Sequence, residues 1–321
     1  MKGYNRNFIE GFKVPFPRMS KSLSSQKAKT KAGYEIKYQH HSIIMNRIRK
    51  FAFLSASNID GNTWIPIDRM GHFIKDNLNL SENLQLGTEL YDAITSISGN
   101  GKNDFDQGHL TSYQEILWGN EREKQQAAQD TFYFTNCVPQ HSLLNKGAWK
   151  SLEQYILKTQ TDVHNLMVSV MTGPVLLDDD PFFIYQINGI SIRIPCAFWK
   201  VIYYKGVNGL TCVGFMMSHK KLLLKAKTVV FDIKEVEPLR MPSKEDLFMD
   251  FKKAGTFQVS VEMIKKICGL GFKTKGVHFP YRGEEALEIL YRRIEVFNLR
   301  SAKSDLTKEQ PMKFELQGLI L

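Results

Sequence analysis

Apolar residues recur along the chain in two patterns: short runs bounded by turn residues, and longer segments with a three-to-four-residue spacing. The first pattern is typical of strands and predicts them over 38–45, 52–61, 131–135, 166–175, 182–187, 190–194, 198–204 and 211–217. The second pattern predicts helices over 122–130, 147–158, 243–253, 260–268 and 284–297. Strands followed by scattered helices predict an α+β fold with a central, mainly antiparallel sheet and flanking helices.

The two ends of the chain differ from the middle, which predicts a core domain over 34–272. Residues 1–33 are basic and rich in Ser, Lys and Pro, which is typical of an N-terminal arm with a mobile linker. Residues 273–321 form a C-terminal extension with a basic start, the 284–297 helix and an apolar tail. An apolar terminus needs a surface on which to dock. Packing on its own core, and self-association or partner docking, are both open.

The amino-acid composition limits the classes of protein to which this chain can belong. The chain has 321 residues, of which 43% are hydrophobic, enough for one large core or two small ones. A formal net charge of +10 suits a polyanionic partner, although a merely soluble basic protein has the same property. The four cysteines have no zinc-ligand spacing, so we expect buried thiols in a reducing compartment.

No apolar run is long enough to span a membrane, and the N-terminus has no apolar core of a secretion signal. We therefore expect a cytoplasmic protein with no membrane partner. A secreted or organellar location is the alternative if a leader was removed.

Three polar blocks in the middle of the chain carry chemistry. The first is Asp106-Gln107-Gly108-His109, the second runs from Thr135-Asn136 to Pro139-Gln140, and the third runs from Asn145 through Trp149 to Glu153. A histidine takes up a proton near neutral pH, and an asparagine offers a neutral oxygen to a hard cation. Phosphodiester hydrolysis needs a base for water and a cation on the phosphate, so these residue types indicate such a site.

In this order and at this spacing, the three blocks resemble the DNA/RNA non-specific endonucleases, ββα-metal nucleases of the endonuclease G type. The family pattern reads Asp-Arg-Gly-His, Ser/Thr-Asn-x-x-Pro-Gln and Asn-x-x-x-Trp-x-x-Leu-Glu, and Gln107 is the one departure. The resemblance covers roughly residues 34–272. It implies a ββα-metal (His-Me finger) active site and a metal-dependent endonuclease with little sequence preference, acting on DNA, with RNA as an open second substrate.

The resemblance assigns the main roles to three residues. His109 is expected to be the general base. Asn145 is expected to be the single direct protein ligand of Mg²⁺, for which Mn²⁺ can substitute. Glu153 lies eight residues later, which on one straight helix is roughly 12 Å of rise and about 80° of rotation. We therefore expect Glu153 to act on the metal through a bound water.

Three further residues complete the predicted site by resemblance. Asn136 is expected to line the site and to hold the histidine or the substrate. Arg69 is expected to bind and stabilise the substrate phosphate, because its guanidinium fork fits phosphate oxygens; a surface arginine is the alternative. Gln107 stands beside the catalytic histidine where the family has arginine. Losing that charge predicts weaker substrate binding rather than slower chemistry.

Two other polar clusters are poorer metal sites. His40 and His41 are predicted on a strand, where neighbouring side chains face opposite ways, so one ion is not expected to bind both. The run 178–180 holds three aspartates without a calcium-loop frame, which predicts a solvated turn.

Several alternatives remain open at this stage. The fold could serve as a catalytically inactive nucleic-acid-binding module, or the site could hydrolyse another phosphodiester. The nuclease could also be the effector of a defence or toxin system, controlled by a regulatory protein partner. Homodimers occur among relatives of this family, so a homodimer is a further prediction.

Overall fold

One large antiparallel sheet organises the fold in a computed structural model of the protein. The structure describes residues 2–68, 71–93, 103–145, 152–153, 156–157, 165–226, 228–230, 256–294 and 313–317. The predicted α+β class, with a mainly antiparallel sheet and flanking helices, is confirmed.

The described residues form sixteen strands and six short α-helices. The strands are β1 (Arg18–Met19), β2 (Ile36–Lys37), β3 (His41–Met45), β4 (Ala52–Asp60), β5 (Phe105–His109), β6 (Cys137–His141), β7 (Met167–Val175), β8 (Phe182–Ile187), β9 (Ile190–Arg193), β10 (Ala197–Gly206), β11 (Gly209–Ser218), β12 (Val229–Val230), β13 (Thr256–Val259), β14 (Leu270–Gly271), β15 (Leu287–Ile294) and β16 (Lys313–Gln317). The helices are α1 (Lys21–Ser25), α2 (Thr88–Tyr91), α3 (Glu121–Asp130), α4 (Ser142–Leu144), α5 (Lys220–Ala226) and α6 (Val261–Cys268).

The large sheet has nine strands in the order β16-β15-β13-β11-β10-β7-β4-β3-β2, with antiparallel neighbours. A three-stranded sheet has the order β12-β8-β9, and two pairs, β1-β14 and β5-β6, stand beside it. The predicted apolar run 166–175 becomes β7, which lies near the middle of the large sheet, between β4 and β10.

Alternation along β10 shows why the large sheet has apolar groups on both faces. Trp199, Val201 and Tyr203 enter one core cluster, whereas Phe198 and Ile202 enter two others. Successive side chains of a strand point to opposite faces, so odd and even positions of β10 serve different cores. A strand buried on both faces reads as a continuous apolar run, which is the pattern of β10 apart from Lys200 in its middle.

The N-terminal segment packs into the core, so the prediction of a mobile arm is wrong. Tyr4, Ile9 and Val14 belong to the same buried cluster as Trp199. The hydroxyl of Tyr4 donates to the Val14 carbonyl oxygen at 2.9 Å, and Met19 pairs with Leu270 across the β1-β14 ladder. The Lys- and Ser-rich composition hid apolar residues that recur every few positions.

The predicted helix over 284–297 is also wrong, because most of it forms strand β15. This strand pairs with β13 on one side and with β16 on the other, and Thr256 lies opposite Ile289. The apolar residues of this segment fit a strand period of two as well as a helical period. Pairing with the edge of β13 stabilises the extended form. The C-terminal extension thus adds two strands to the sheet, whereas the apolar tail 318–321 lies outside the described residues.

Two predicted helices are confirmed as α3 and α6. The predicted helix 243–253 and most of 147–158 lie outside the described residues, as does most of the loop 98–103. No helix within the described ranges is both long and apolar enough to cross a bilayer.

The N-terminal packing predicts a measurable contribution to stability. Ile9 is 1% exposed, and replacing a buried isoleucine by alanine removes apolar contacts and leaves a cavity. We expect Ile9→Ala to lower the free energy of unfolding by about 2–5 kcal/mol, measured by urea denaturation. The neighbouring exposed residue supplies the control, Glu10→Ala, for which we expect almost no change. Equal stability of the two variants would show that this segment is mobile in solution.

Candidate active site

The first two motif blocks meet on a two-stranded unit. Strand β5 carries the first block and pairs antiparallel with β6, so that Gly108 lies opposite Val138 and His109 opposite Cys137. Helix α4 follows β6 directly, which produces a strand–strand–helix order. The backbone N–H of His141, the last residue of β6, donates to Nδ1 of buried His219 at 3.0 Å. The end of β6 is therefore fixed to the segment after β11.

The ring of His109 is held by two phenylalanines. The Phe73 ring centroid lies 4.6 Å from that of His109, and Phe132 meets the histidine edge-on at 5.0 Å. Both phenylalanines belong to a buried cluster with Phe134 and Cys137. His109 itself is half-buried. Aromatic packing on two sides thus orients the imidazole ring, and its Nε2 atom is buried.

The segment that follows Arg69 is tied to this aromatic cluster. Gly71 has a φ of +133°, and a Cβ there would lie 2.7 Å from the Phe132 ring, so only glycine fits. The Ile74 N–H donates to the Phe132 carbonyl at 2.9 Å, and the Phe134 N–H donates to the Ile74 carbonyl at 2.9 Å. Arg69 lies outside the described residues, and its role stays a prediction.

The side chain of Asn136 clamps the residues that follow His109. Its Oδ1 accepts from the Thr111 N–H at 3.0 Å, and its Nδ2 donates to the carbonyls of Thr111 at 2.8 Å and Thr131 at 3.1 Å. The Leu110 N–H donates to the Asn136 carbonyl at 3.0 Å. Asn136 is fully buried. The structure therefore favours holding of the histidine segment over contact with substrate.

The predicted strand over 131–135 is wrong. These residues form a turn and the start of a 3₁₀ helix, Phe134–Asn136, and the strand begins only at Cys137. The aromatic residues gave this segment strand character, but their side chains pack on separate partners: Phe132 on His109, Tyr133 on Tyr38 and Phe134 on Phe73. The tight turn brings Thr131 within reach of the Asn136 amide.

Asn145 lies directly after α4 and contacts strand β5. Its Nδ2 donates to Oδ2 of Asp106 at 3.1 Å. Because the amide nitrogen makes this bond, the amide oxygen is the atom of Asn145 that suits a cation. Within the described ranges, no group of three or more His, Cys, Asp or Glu side chains is arranged to hold a metal ion.

Gly108 leaves room for a side chain of the neighbouring strand. A Cβ at Gly108 would lie 2.4 Å from Cδ of Gln140, so the buried glutamine side chain occupies the space beside this glycine. The close approach is thus between strands β5 and β6. Gln107 lies opposite Pro139 and is half-buried. Strand alternation places Gln107 on the same face of β5 as His109.

Glu153 joins a cluster of charges. Lys200 Nζ lies 2.7 Å from Oε1 of Glu115 and 3.3 Å from Oε1 of Glu153. Burial alone lowers the pKa of Lys200, but the two carboxylates outweigh burial and raise the pKa above its usual value. Reasoning from the sequence missed Lys200 and Glu115. The available signal was a single charge inside the apolar run Phe198–Ile202.

The two adjacent histidines lie in separate structural environments. His40 stacks on Trp118 with ring centroids 3.5 Å apart, and its Nδ1 donates to the Ile116 carbonyl at 3.0 Å. His41 stacks on Tyr38. Burial lowers the pKa of both histidines to about 4, so both rings are neutral at physiological pH. His40 has a φ of 65° and precedes β3, so it is not a strand residue as predicted.

The aspartate run is not wholly a solvated turn. Asp180 is 2% exposed, and its Oδ2 accepts from Arg49 at 2.6 Å. The free cysteines meet the expectation of buried thiols, since Cys137, Cys196 and Cys212 are buried and Cys268 is partly buried.

Comparisons with known proteins agree with the motif blocks. A family model described as DNA/RNA non-specific endonuclease matches residues 19–277. The chain is 35% identical over 232 residues to the uncharacterized protein y4fB of Sinorhizobium fredii, covering 70% of this chain and 33% of that protein. It is 35% identical over 111 residues to mitochondrial endonuclease G of Homo sapiens, covering 33% of this chain and 35% of that protein.

The chain therefore spans about a third of the length of these curated relatives. Among solved structures, a crystal structure of an EndoG/EndoGI complex aligns with a TM-score of 0.49 and 16% identity, covering 74% of this chain and 84% of that chain.

The hydrogen bonds of Asn136 generate a prediction about stability. Asn136→Ala removes three hydrogen bonds and leaves buried backbone groups of Thr111 and Thr131 without this partner. We expect a loss on the order of 3 kcal/mol in the free energy of unfolding, measured by chemical denaturation. Asn208→Ala, at an exposed turn position, is the control. A stable Asn136→Ala protein with impaired activity would instead assign this side chain to the substrate.

Proposed function

Because the chain belongs to the DNA/RNA non-specific endonuclease family, we propose that it is a metal-dependent endonuclease that hydrolyses phosphodiester bonds with little sequence preference. His109 is the general base and Asn145 is the direct protein ligand of Mg²⁺, with Mn²⁺ as a substitute. Asn136 and Glu153 support the site, Arg69 stabilises the phosphate, and Gln107 faces the substrate.

The observation that carries this proposal is the hydrogen bond between Asn145 and Asp106. It joins the residue after α4 to the strand that bears His109, so one small unit holds both the base and the metal ligand. An asparagine oxygen beside a carboxylate is a donor set of hard oxygens, which fits Mg²⁺. Mg²⁺ also keeps several waters, so a single direct protein ligand with Glu153 acting through water is chemically suitable.

The residues of the chain divide the work of hydrolysis. His109 takes the proton from the attacking water, and the rings of Phe73 and Phe132 fix its orientation. A divalent cation bound at Asn145 supplies positive charge to the scissile phosphate. The formal net charge of +10 favours association with a polyanion. Backbone phosphates carry no base information, so low sequence preference is expected.

A catalytically inactive binding module is the less favoured alternative. Nucleic-acid binding requires neither a histidine base nor a metal ligand, yet this chain has both on one unit. Cleavage of RNA, the choice of metal, a homodimer, a cytoplasmic location and control by a protein partner within a defence or toxin system stay predictions.

Removal of the base tests the proposal. We expect His109→Ala to lower the rate of plasmid nicking in Mg²⁺ by at least about a hundredfold, the scale of a lost general base. Binding of DNA by the variant should match that of the wild type under the same conditions, because phosphate contacts do not depend on this ring. His278→Ala is the matched control, since the bonds of His278 to β11 come from its backbone. Unimpaired turnover of His109→Ala would refute the assignment, and an RNA digest run in parallel tests the second substrate.

Removal of the metal ligand is a separate test. We expect Asn145→Ala to lose activity at low Mg²⁺ and to recover partly at high Mg²⁺, because the remaining ligands bind more weakly. A metal titration of the cleavage rate measures this shift, with Asn208→Ala as control. The same Mg²⁺ dependence in wild type and Asn145→Ala would remove Asn145 from the metal site.

A further inference from the structure

The strongest unassigned feature is Lys200, a charged residue in the middle of central strand β10. Its side chain is fully buried, and its two neighbours in the cluster are Glu115, which is 1% exposed, and Glu153, which is 15% exposed. Burying an ammonium group is unfavourable unless carboxylates surround it. A strand of this kind would normally hold an apolar residue here, so the charge needs a reason beyond packing.

The cluster connects two parts of the candidate site. Lys200 is an even position of β10 and lies on the face that carries Phe198 and Ile202. Glu115 lies in the 3₁₀ helix Tyr113–Ile116, six positions after His109. The same segment is fixed to the large sheet, because the Ser55 and Thr111 hydroxyl oxygens lie 2.7 Å apart. Lys200 thus links the residues after the catalytic strand to Glu153 of the third motif block.

The cluster joins one ammonium to two carboxylates. Glu115 is the more buried carboxylate and the closer one, at 2.7 Å, so it pairs with Lys200 within the core. Glu153 is the more exposed carboxylate and the more distant one, at 3.3 Å, so Lys200 holds it at the partly exposed end of the cluster.

We propose that Lys200 is a positioning residue: held by Glu115, it fixes the carboxylate of Glu153 in the orientation with which Glu153 supports the metal ion. This inference rests on the proposed function, because it uses the role of Glu153 beside Asn145. It adds a residue from a distant strand to a site otherwise built from the three motif blocks.

A purely structural cluster is the competing explanation. Replacing a buried ion cluster by apolar or neutral groups often leaves stability unchanged or improved, so a stability measurement alone does not separate the two explanations. Metal affinity does separate them. When a metal-supporting group loses the partner that orients it, metal binding typically weakens by about 10–100-fold.

The decisive variant is Lys200→Met/Glu115→Gln. It removes one positive and one negative charge, so the net charge of the protein is unchanged and Glu115 is not left as a buried carboxylate without a counter-charge. A change in metal affinity then reports orientation and not charge. Lys200→Gln/Glu115→Gln has the same charge but retains an N–H donor for Glu153. It serves as the conservative variant and as the second route if the methionine form does not fold.

The readout is Mn²⁺ binding to the protein without nucleic acid, followed by electron paramagnetic resonance, beside circular dichroism to confirm folding. We expect the methionine variant to bind Mn²⁺ about tenfold more weakly than wild type, and the glutamine variant to recover part of this loss. Glu153→Gln should weaken Mn²⁺ binding by a similar factor in the wild type. In the methionine variant the same substitution should weaken binding by less than about twofold, because the interaction that it removes is already lost.

The outcomes separate this inference from the proposed function. Two results would overturn the positioning role even if the protein cleaves DNA. The first is wild-type Mn²⁺ affinity in the folded methionine variant, or in the glutamine variant if the methionine variant does not fold. The second is a full effect of Glu153→Gln in the same variant. A wild-type protein that binds no Mn²⁺ overturns it too. Weaker Mn²⁺ binding together with a weak effect of Glu153→Gln supports it, whatever the nicking assay shows.

Discussion

The hydrogen bonds of the Asn136 side chain are the constraint on which the rest of the site depends. Strands β5 and β6 form a pair outside the nine-stranded sheet, so they lack the support of neighbouring strands. Asn136 compensates, because its amide bonds to both backbone groups of Thr111 and to the Thr131 carbonyl. This fixes where β5 ends and where β6 begins. The position of His109 at the end of β5 follows from that bond pattern, and the aromatic cluster then needs only to orient its ring.

Sequence patterns predicted the fold where one period dominated and failed where two periods fitted. Strands β7, β10 and β11 carry long apolar runs that allow only a buried strand, and they were predicted almost to the residue. The segment 284–297 satisfies both helical and strand spacing, and only the edge of β13 decides between them. The N-terminal segment was predicted incorrectly because its average composition combines exposed basic residues with apolar residues that are buried. Burial of Ile9 depends on a surface built from distant parts of the chain.

The candidate site shows a similar division. The three motif blocks contain His109, Asn136 and Asn145, which the structure brings into one unit and whose roles stay predictions. Asp106 lay within a block, yet its partner could not be predicted, because the bond to Asn145 spans 39 positions. Lys200 and Glu115 lay outside every block. A lysine in an apolar strand signals a buried charge, but the identity of its carboxylate partners depends on the three-dimensional packing of a segment 85 positions away.

The electrostatics of the site point towards a cation as a requirement of substrate binding and not only of chemistry. The chain carries a formal charge of +10, yet among the described residues the candidate site holds the carboxylates of Asp106, Glu115 and Glu153 beside the ammonium of Lys200. A phosphate drawn in by the basic surface would therefore meet these negative charges, which Gln107 does not offset and which the proposed Arg69 contact offsets only in part. A divalent cation held by Asn145, the proposed metal ligand, would bring the formal charge of these four groups from −2 to zero. In a family member that lacks the arginine beside its histidine, substrate affinity and metal affinity should therefore depend strongly on each other.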